Sequence, residues 1–558
     1  MPKILDLVFR LKRRGAAIAA VSVLGLSCGC QGPERPAISN DNGASVNSHG
    51  ISRSPEARPL VRALLGEPRT LDPQLADDES SLPVIRDLFE GLTSETPEGN
   101  VVPGIAESWM VNEAGTIYRF HLRQNARWSD GDKIVADEFV KGLRRAVDPK
   151  TGAGFASQLS LIKNASEIIN GQRNINTLGV SAIDDETVEI SLERPATFFL
   201  QLVSQPICAP VHHHVGEPPR LGSQAENSIA STGPFLLKKW IPGAYLLISQ
   251  NPHYWNSQLN HVTSVKYLFE DSETTELNQY LGGQLDITST IPVPDFARIS
   301  KLIPNEIQTA PILGTLFIAL NVSRPPFASN RKLRQALSMA VERRLITEKI
   351  VKGATPAFGF VANGIHDYTQ QHYWWSALPE TERIRQARLL YAEAGYSPDH
   401  PLRITLYFNA NEGVKRLMLA VAANWRENLG VDVNLTSSEF RIFLEERKDR
   451  NKWDAIRLGW YADYNDASSF LEIFESTNAQ NSSGYRSTGF DKLIHDARVQ
   501  PSSTLRRSLL ENAEQLILND GPVIPIYFYN ARRLVKPNIS GASISPMNRT
   551  YSKFLKWR

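Results

Sequence analysis

The second half of the chain switches repeatedly between two hydrophobic periods, and that alternation restricts the fold more than any other feature. Apolar residues recur at helical spacing over 330–352, 382–394 and 414–428, and each stretch is followed closely by a glycine: Gly353, Gly395 or Gly430. Glycine ends helices because it enters the left-handed region without steric cost. Between and after these stretches, 403–408 and 431–435 alternate with the period of two that marks a strand. Strands interleaved with helices predict an α/β lobe. In the first half, strands are expected at Leu60–Leu65, 118–122 and 187–192 and a helix at 137–147. With 558 residues the chain exceeds what one hydrophobic core serves, so two or three lobes are expected.

The N-terminal end is read separately. A basic section ends at Arg14, an apolar run extends from Gly15 to Leu26, and Ser27-Cys28-Gly29-Cys30 follows. This is the pattern of an export signal. Its apolar run, about twelve residues, falls short of the roughly 20 that span a bilayer. The small residue before each cysteine resembles a bacterial lipoprotein cleavage box, so lipidation is expected at Cys28 or Cys30, with plain secretion as the alternative. Residues 31–58, rich in Ser, Asn, Gly and Pro, read as a solvated tether. The signal carries five basic side chains against Asp6, so of the chain's formal charge of +2 the remainder bears −2. A near-neutral body without a basic stripe excludes nucleic acid as a partner. Cys208 is then the sole cysteine of the folded body, and no intrachain disulfide is expected.

Catalytic signatures are absent from the sequence: it holds no P-loop, no HExxH and no zinc-spaced CxxC pair. A GxSxG match at 25–29 lies within the export signal, where no strand-to-helix turn can form. His212-His213-His214 invites a metal reading. Adjacent residues of an extended segment point to opposite faces, however, and no neighbouring Cys or further His completes a site, so an exposed polar loop between Pro210 and Pro218 is expected. No cofactor is expected. Trp128-Ser129-Asp130-Gly131 reads as a tight turn ahead of the helix.

Residues 459–474, GWYADYNDASSFLEIF, set Asp463 among Trp460, Tyr461 and Tyr464, with Arg457 two residues upstream of the segment. An acid holds an ammonium, an arginine holds a carboxylate in a bidentate fork, and rings exclude water from both. That combination suits a zwitterionic ligand such as a peptide. The competing reading is a surface strand entering a helix that Asp463 caps.

Several segments carry a resemblance to a known family: EPRTLDP at 67–73, RDLFEGL at 86–92, PGIAESW at 103–109, FHLR at 120–123, WSDG at 128–131, LGV at 178–180 with Ala182, GPF at 233–235, NPHYW at 251–255 and PPF at 325–327 before the basic helix 331–343. In this order they resemble the extracytoplasmic oligopeptide-binding proteins of ABC importers, over roughly residues 60–540. The resemblance implies an α/β, two-lobed periplasmic-binding-protein-like fold of class II, with an extra inserted domain and a ligand cleft between the lobes. It implies lobe I at 59–90, 216–313 and 531–558, the inserted domain at 91–215, and lobe II at 314–530, with hinge crossings near 313 and 530. It further implies that Asp463 receives a peptide's ammonium, that Arg457 meets the carboxylate of one peptide length, that the segment of Glu79 pairs with peptide backbone, and that Gly459 and Tyr461 offer backbone groups beside a wall at Trp460. Phe155, Phe317, Asn409, Phe440, Arg447, Asn481 and Ser482 match family pocket positions.

The implied partners are oligopeptides, an ABC permease with its ATPase subunits, and a membrane reached through the lipid anchor; the protein is expected to be an exported monomer, at the periplasm or cell surface, and not an enzyme. Departures concern the far end of the ligand. A disulfide of one well-studied branch is replaced by Tyr461 and Gly314, a carboxylate-binding histidine by Val414, and a pocket glutamate by Ala319. The alternatives are a receptor specialised for murein or signalling peptides, a secreted peptidase, and a chaperone-like protein.

Overall fold

A computed structural model describes residues 58–213 and 229–558. The export segment, nearly all of the tether, both candidate lipidation cysteines and His214 lie outside the described residues. Three sheets of four or more strands organise the rest. The first takes the order Leu60–Leu65, Ser264–Glu270, Tyr245–Gln250, Phe235–Ile241; its first pair is parallel and the others antiparallel.

The second sheet is antiparallel throughout, in the order Ala106–Val111, Ile117–Leu122, Thr187–Ser191, Val180–Asp184. Its strand Ile117–Leu122 buries Tyr118, Phe120 and Leu122 and exposes Arg119, as a period of two requires. Helix Ala136–Val147 covers it, contributing Phe139, Val140 and Leu143. The two sheets share one continuous core that includes Leu60, Val84, Phe120, Phe235 and Leu555. Here the expectation of an exposed loop between Pro210 and Pro218 is corrected at His212, which is only 4% exposed and edge-on to Trp128 with ring centroids 4.8 Å apart; His213 is exposed. The His212 ring fills space between the turn at 128–131 and the helix behind it.

The third sheet runs Thr355–Pro356, Val523–Leu534, Ile307–Leu320, Ala455–Tyr461, Arg403–Asn409, Asp432–Ser438. The expected alternation is present in it. Helices Glu380–Glu393 and Glu412–Leu429 flank the parallel pair Arg403–Asn409 and Asp432–Ser438. Gly430 closes the second helix at φ +77° and donates to the carbonyls of Arg426 and Trp425, so the chain reverses directly into the next strand. One face of the sheet is packed by Leu337, Leu406 and Trp425, the other by Phe360, Ile456 and Phe470.

The single helix expected over 330–352 is divided. Helix Arg331–Met339 ends, and Arg343–Leu345 continues into a turn of π-helix at Ile346–Ile350. Side chains from later helices satisfy the backbone at the break: Asn428 donates to the Ala340 carbonyl at 3.0 Å, Arg383 to that of Val341 at 2.9 Å, and Asn424 accepts from Glu342 N–H at 3.0 Å. The break turns Arg343 inward, where it is 1% exposed and donates to the Pro525 carbonyl at 2.7 Å.

Two long strands, Ile307–Leu320 and Val523–Leu534, pair antiparallel, with the register slipping between Pro311 and Thr315. At one end they enter the third sheet; at the other, Val535 bridges Ile287, which bridges Arg62 of the first sheet.

Candidate functional site

Strand Ala455–Tyr461 lies in the middle of the third sheet, paired with Ile307–Leu320 so that Tyr461 faces Gly314 and Arg457 faces Ile318. Side-chain alternation puts Arg457, Gly459 and Tyr461 on one face and Leu458 and Trp460 on the other. Arg457 donates from Nη1 to Asn409 Oδ1 at 3.2 Å and from Nη2 to the Tyr529 hydroxyl at 3.4 Å. Its buried Nε meets no acceptor, and it forms no ion pair with a carboxylate among the described residues. A Cβ at Gly459 would lie 2.7 Å from the Tyr529 hydroxyl oxygen, so the absent side chain makes room for that contact. Tyr461 stacks on Tyr529 with centroids 4.6 Å apart. Both rings lean over Gly314, where a Cβ would come within 2.7 Å of Tyr461 Cδ1 and 2.9 Å of Tyr529 Cδ2. Gly314 and Tyr461, the two positions that the resemblance sets against a disulfide, are cross-strand neighbours joined by ring-over-glycine packing.

The Tyr461 hydroxyl is pushed up chiefly by burial, with Tyr529, Tyr527 and the charge of Glu79 adding to it. Exposed Glu79, from the opposite half of the chain, thus lies close enough to act on this face. The loop that carries Phe155 rests beside it: a Cβ at Gly154 would collide with the Asp77 carboxylate.

Beyond the strand, Ala462 donates to the Leu313 carbonyl at 2.8 Å and the Asp463 N–H to Ser469 Oγ at 2.9 Å. The Asp463 carboxylate itself has no hydrogen bond or ion pair among the described residues. Solvent reaches it, yet protein surrounds it on most sides, and that desolvation raises its pKa above the ordinary aspartate value. Among the described residues it stands as an unpaired anion. Asp463 does not cap the helix that follows, Ser468–Leu471, whose N-cap is Ala467; just ahead of it Asp466 Oδ1 accepts from Ser468 N–H at 2.9 Å. Around these acids, Tyr464 stacks on Phe198 at 3.8 Å and Asn465 N–H donates to Gln201 Oε1 at 2.8 Å. Residues 463–466 thereby sit against 197–201 from the first half.

The remaining candidates divide. Asn409 touches Arg457, as above. Phe317 is a core residue, 4% exposed and edge-on to Phe360. Trp460 is half-buried and donates from Nε1 to the Ser469 carbonyl at 2.7 Å. Arg447, Asn481 and Ser482 form a separate group: Arg447 reaches Gln480 at 3.4 Å, the Asn481 amide donates to the carbonyls of Phe474, Glu475 and Tyr485, and the Ser482 carbonyl accepts from Arg450 at 2.9 Å. Phe440, 54% exposed, opens the short helix Phe440–Glu446 that leads to Arg447. No hydrogen bond or ring contact joins this group to Asp463. Tyr529, which holds both Arg457 and Tyr461, carried no signal in the sequence; it arrives from the strand Val523–Leu534, about seventy residues on, and only strand pairing discloses it.

A cation and an anion, each without an ion-pair partner among the described residues, thus stand six residues apart on one segment, at most about 20 Å in an extended chain.

Residues 100–482 match the sequence profile of the bacterial extracellular solute-binding proteins, family 5. The periplasmic murein peptide-binding protein MppA of Escherichia coli is 36% identical over 89% of this chain and 93% of its own length. The periplasmic oligopeptide-binding protein OppA of Salmonella typhimurium is 36% identical over 89% and 92%. The unliganded open form of MppA superposes with a TM-score of 0.82 at 34% identity, covering 89% of this chain and 97% of that one.

Proposed function

The chain belongs to family 5 of the bacterial extracellular solute-binding proteins, and from that premise we propose that it captures oligopeptides outside the cytoplasmic membrane and delivers them to an ABC importer. One observation carries the reading: Asp463 is a desolvated carboxylate without a partner, on the segment that also presents Arg457. Family members bind solutes and are not enzymes.

In this reading the peptide ammonium pairs with Asp463, and Arg457, steadied by Asn409 and Tyr529, meets a carboxylate. The backbone at Gly459 and Tyr461 and the segment of Glu79 pair with the peptide main chain, which reads any sequence equally. The lobes are those at 59–90, 216–313 and 531–558 and at 314–530, with 91–215 inserted. The register slip between Pro311 and Thr315 supports a flexing point at the first crossing. A ligand that touches both lobes favours closure because those contacts exist together only in the shut state. The protein is exported, acts as a monomer and is anchored through a lipid on Cys28 or Cys30. No helix among the described residues is long and apolar enough to cross a membrane. A murein or signalling peptide is the second reading, favoured by Val414 and Ala319 at the carboxylate end.

The test is calorimetric titration of protein stripped of ligand by partial unfolding and refolding, using tri-, tetra- and pentapeptides, each free and N-acetylated. Tight binding that acetylation abolishes is the expected result. Equal binding of both forms would remove Asp463 as an amine site, and no binding of either would favour the specialised ligand.

A further inference from the structure

Away from the cleft, two imidazoles and a pair of carboxylates converge where the chain leaves the second sheet's region. Nitrogen or oxygen atoms of Asp132, His212 and His213 all lie within 4.8 Å of one another. Asp132 Oδ2 stands 3.6 Å from His212 Nε2 and 3.9 Å from His213 Nε2, and Asp130 Oδ2 stands 3.1 Å from His212 Nε2. The first two separations are too long for hydrogen bonds. Two ligands of one tetrahedral zinc, each bonded at about 2.0–2.1 Å, are roughly 3.4 Å apart. The cluster therefore needs to contract by tenths of an ångström about Asp132 and by at most about 1.4 Å between the imidazoles.

The argument that adjacent histidines point apart fails here because 211–213 is not a strand: the two rings stack at 4.9 Å, 9° from parallel, and turn the same way. The orientation is imposed from behind. Glu138 is fully buried, and its Oε1 accepts from both the backbone N–H and Nδ1 of His213, at 3.1 and 2.5 Å. Its Oε2 accepts from Trp128 Nε1 and Val135 N–H at 2.9 and 3.0 Å. A carboxylate that holds Nδ1–H directs the lone pair of a neutral imidazole to Nε2, the ligating atom in carboxylate–histidine–zinc triads. The acids are equally fixed: the turn is closed by Gly131 N–H to the Trp128 carbonyl and Trp128 N–H to that of Asp132, both at 2.9 Å, with Gly131 at φ +101°.

We propose that Asp132, His212 and His213, with Asp130 as fourth ligand, bind one divalent transition ion of the zinc class. Two imidazoles with carboxylates suit such ions better than calcium or magnesium, which take oxygen shells. Four protein ligands make a closed, structural site. The ion would staple the turn at 128–132 to 212–213, some eighty residues on, and so stabilise the region without taking part in peptide capture.

The test uses the full chain without an affinity tag, freed of metal by chelator and titrated with Zn2+ against a chromophoric chelator. One equivalent is expected, weakened at least a hundredfold by Asp132→Asn or His213→Gln and ten- to a hundredfold by Glu138→Gln, with peptide binding unchanged. X-ray absorption of the zinc-loaded wild-type protein should show imidazole and oxygen donors, a readout that does not depend on the variants folding. Zn2+ affinity unchanged in the Asp132→Asn/His213→Gln variant, or a shell without imidazole, would overturn the site.

Discussion

Asp463 and Asp466 lie three residues apart on one loop, and their surroundings give them opposite roles. Asp466 is held by both Arg506 guanidinium nitrogens at 2.7 and 2.8 Å, with Thr197 Oγ1 at 3.2 Å. Burial alone would raise its pKa, but the hydrogen bonds and charge of Arg506 outweigh it and hold the carboxyl below the ordinary value. Asp463, which solvent still reaches, is desolvated by the protein around it and has no partner among the described residues, and its pKa rises. A carboxylate that the fold has already neutralised is scaffold; one that is desolvated and left unpaired gains a counter-charge only from a ligand. Residue type and sequence neighbourhood do not make that distinction, whereas the position of Arg506, forty residues away, does.

Replacing each acid sharpens the contrast. Asp463→Ala should cost roughly 3–5 kcal/mol of peptide binding, a loss of about two to four powers of ten in affinity, by leaving the ligand ammonium buried and unpaired; chemical denaturation of the ligand-free protein should change little. Calorimetry showing unchanged affinity would break the comparison. Asp466→Ala should do the reverse, costing about 3 kcal/mol of folding stability by stranding Arg506. The protein that remains folded should still bind peptide. The smallest effect is one of pH. The site's Asp463 must be ionised to hold an ammonium, so affinity should fall as pH drops through its raised pKa. The contribution of Asp466 to stability, present above the unfolded-state value, is lost only as pH falls through its lowered one. Binding should therefore fail at a higher pH than folding does, and coincident loss would show that the two acids act as one unit.

Much of the fold was legible because it rests on local signals. The helices at 380–393 and 412–429 and the strands at 403–409 and 432–438 follow from periodicity and from Gly395 and Gly430. The division of 330–352 was not, because its causes are Arg383, Asn424 and Asn428 on later helices. At the site, the motif around Asp463 was visible, and the structure adds what motifs omit: Tyr529 bracing Arg457, and the Phe198–Tyr464 stack. Phe317 matched a pocket position and lies in the core, since neighbouring positions on a central strand face opposite layers. The rings of His212 and His213 stack where sequence reasoning pointed them apart, because a rule for extended strands was applied to a turn.

The ring-over-glycine contact at Gly314 has a consequence for how the described strands respond to a reductant. Cys208, the one free cysteine among the described residues, is buried, and its thiol is pushed up to about 12, so almost none is thiolate at neutral pH. Thiol exchange has no disulfide to act on among the described residues, and the strands at Gly314 and Tyr461 meet through aromatic packing. The pairing of the described strands therefore rests on packing and hydrogen bonds, and a reductant should leave it unchanged.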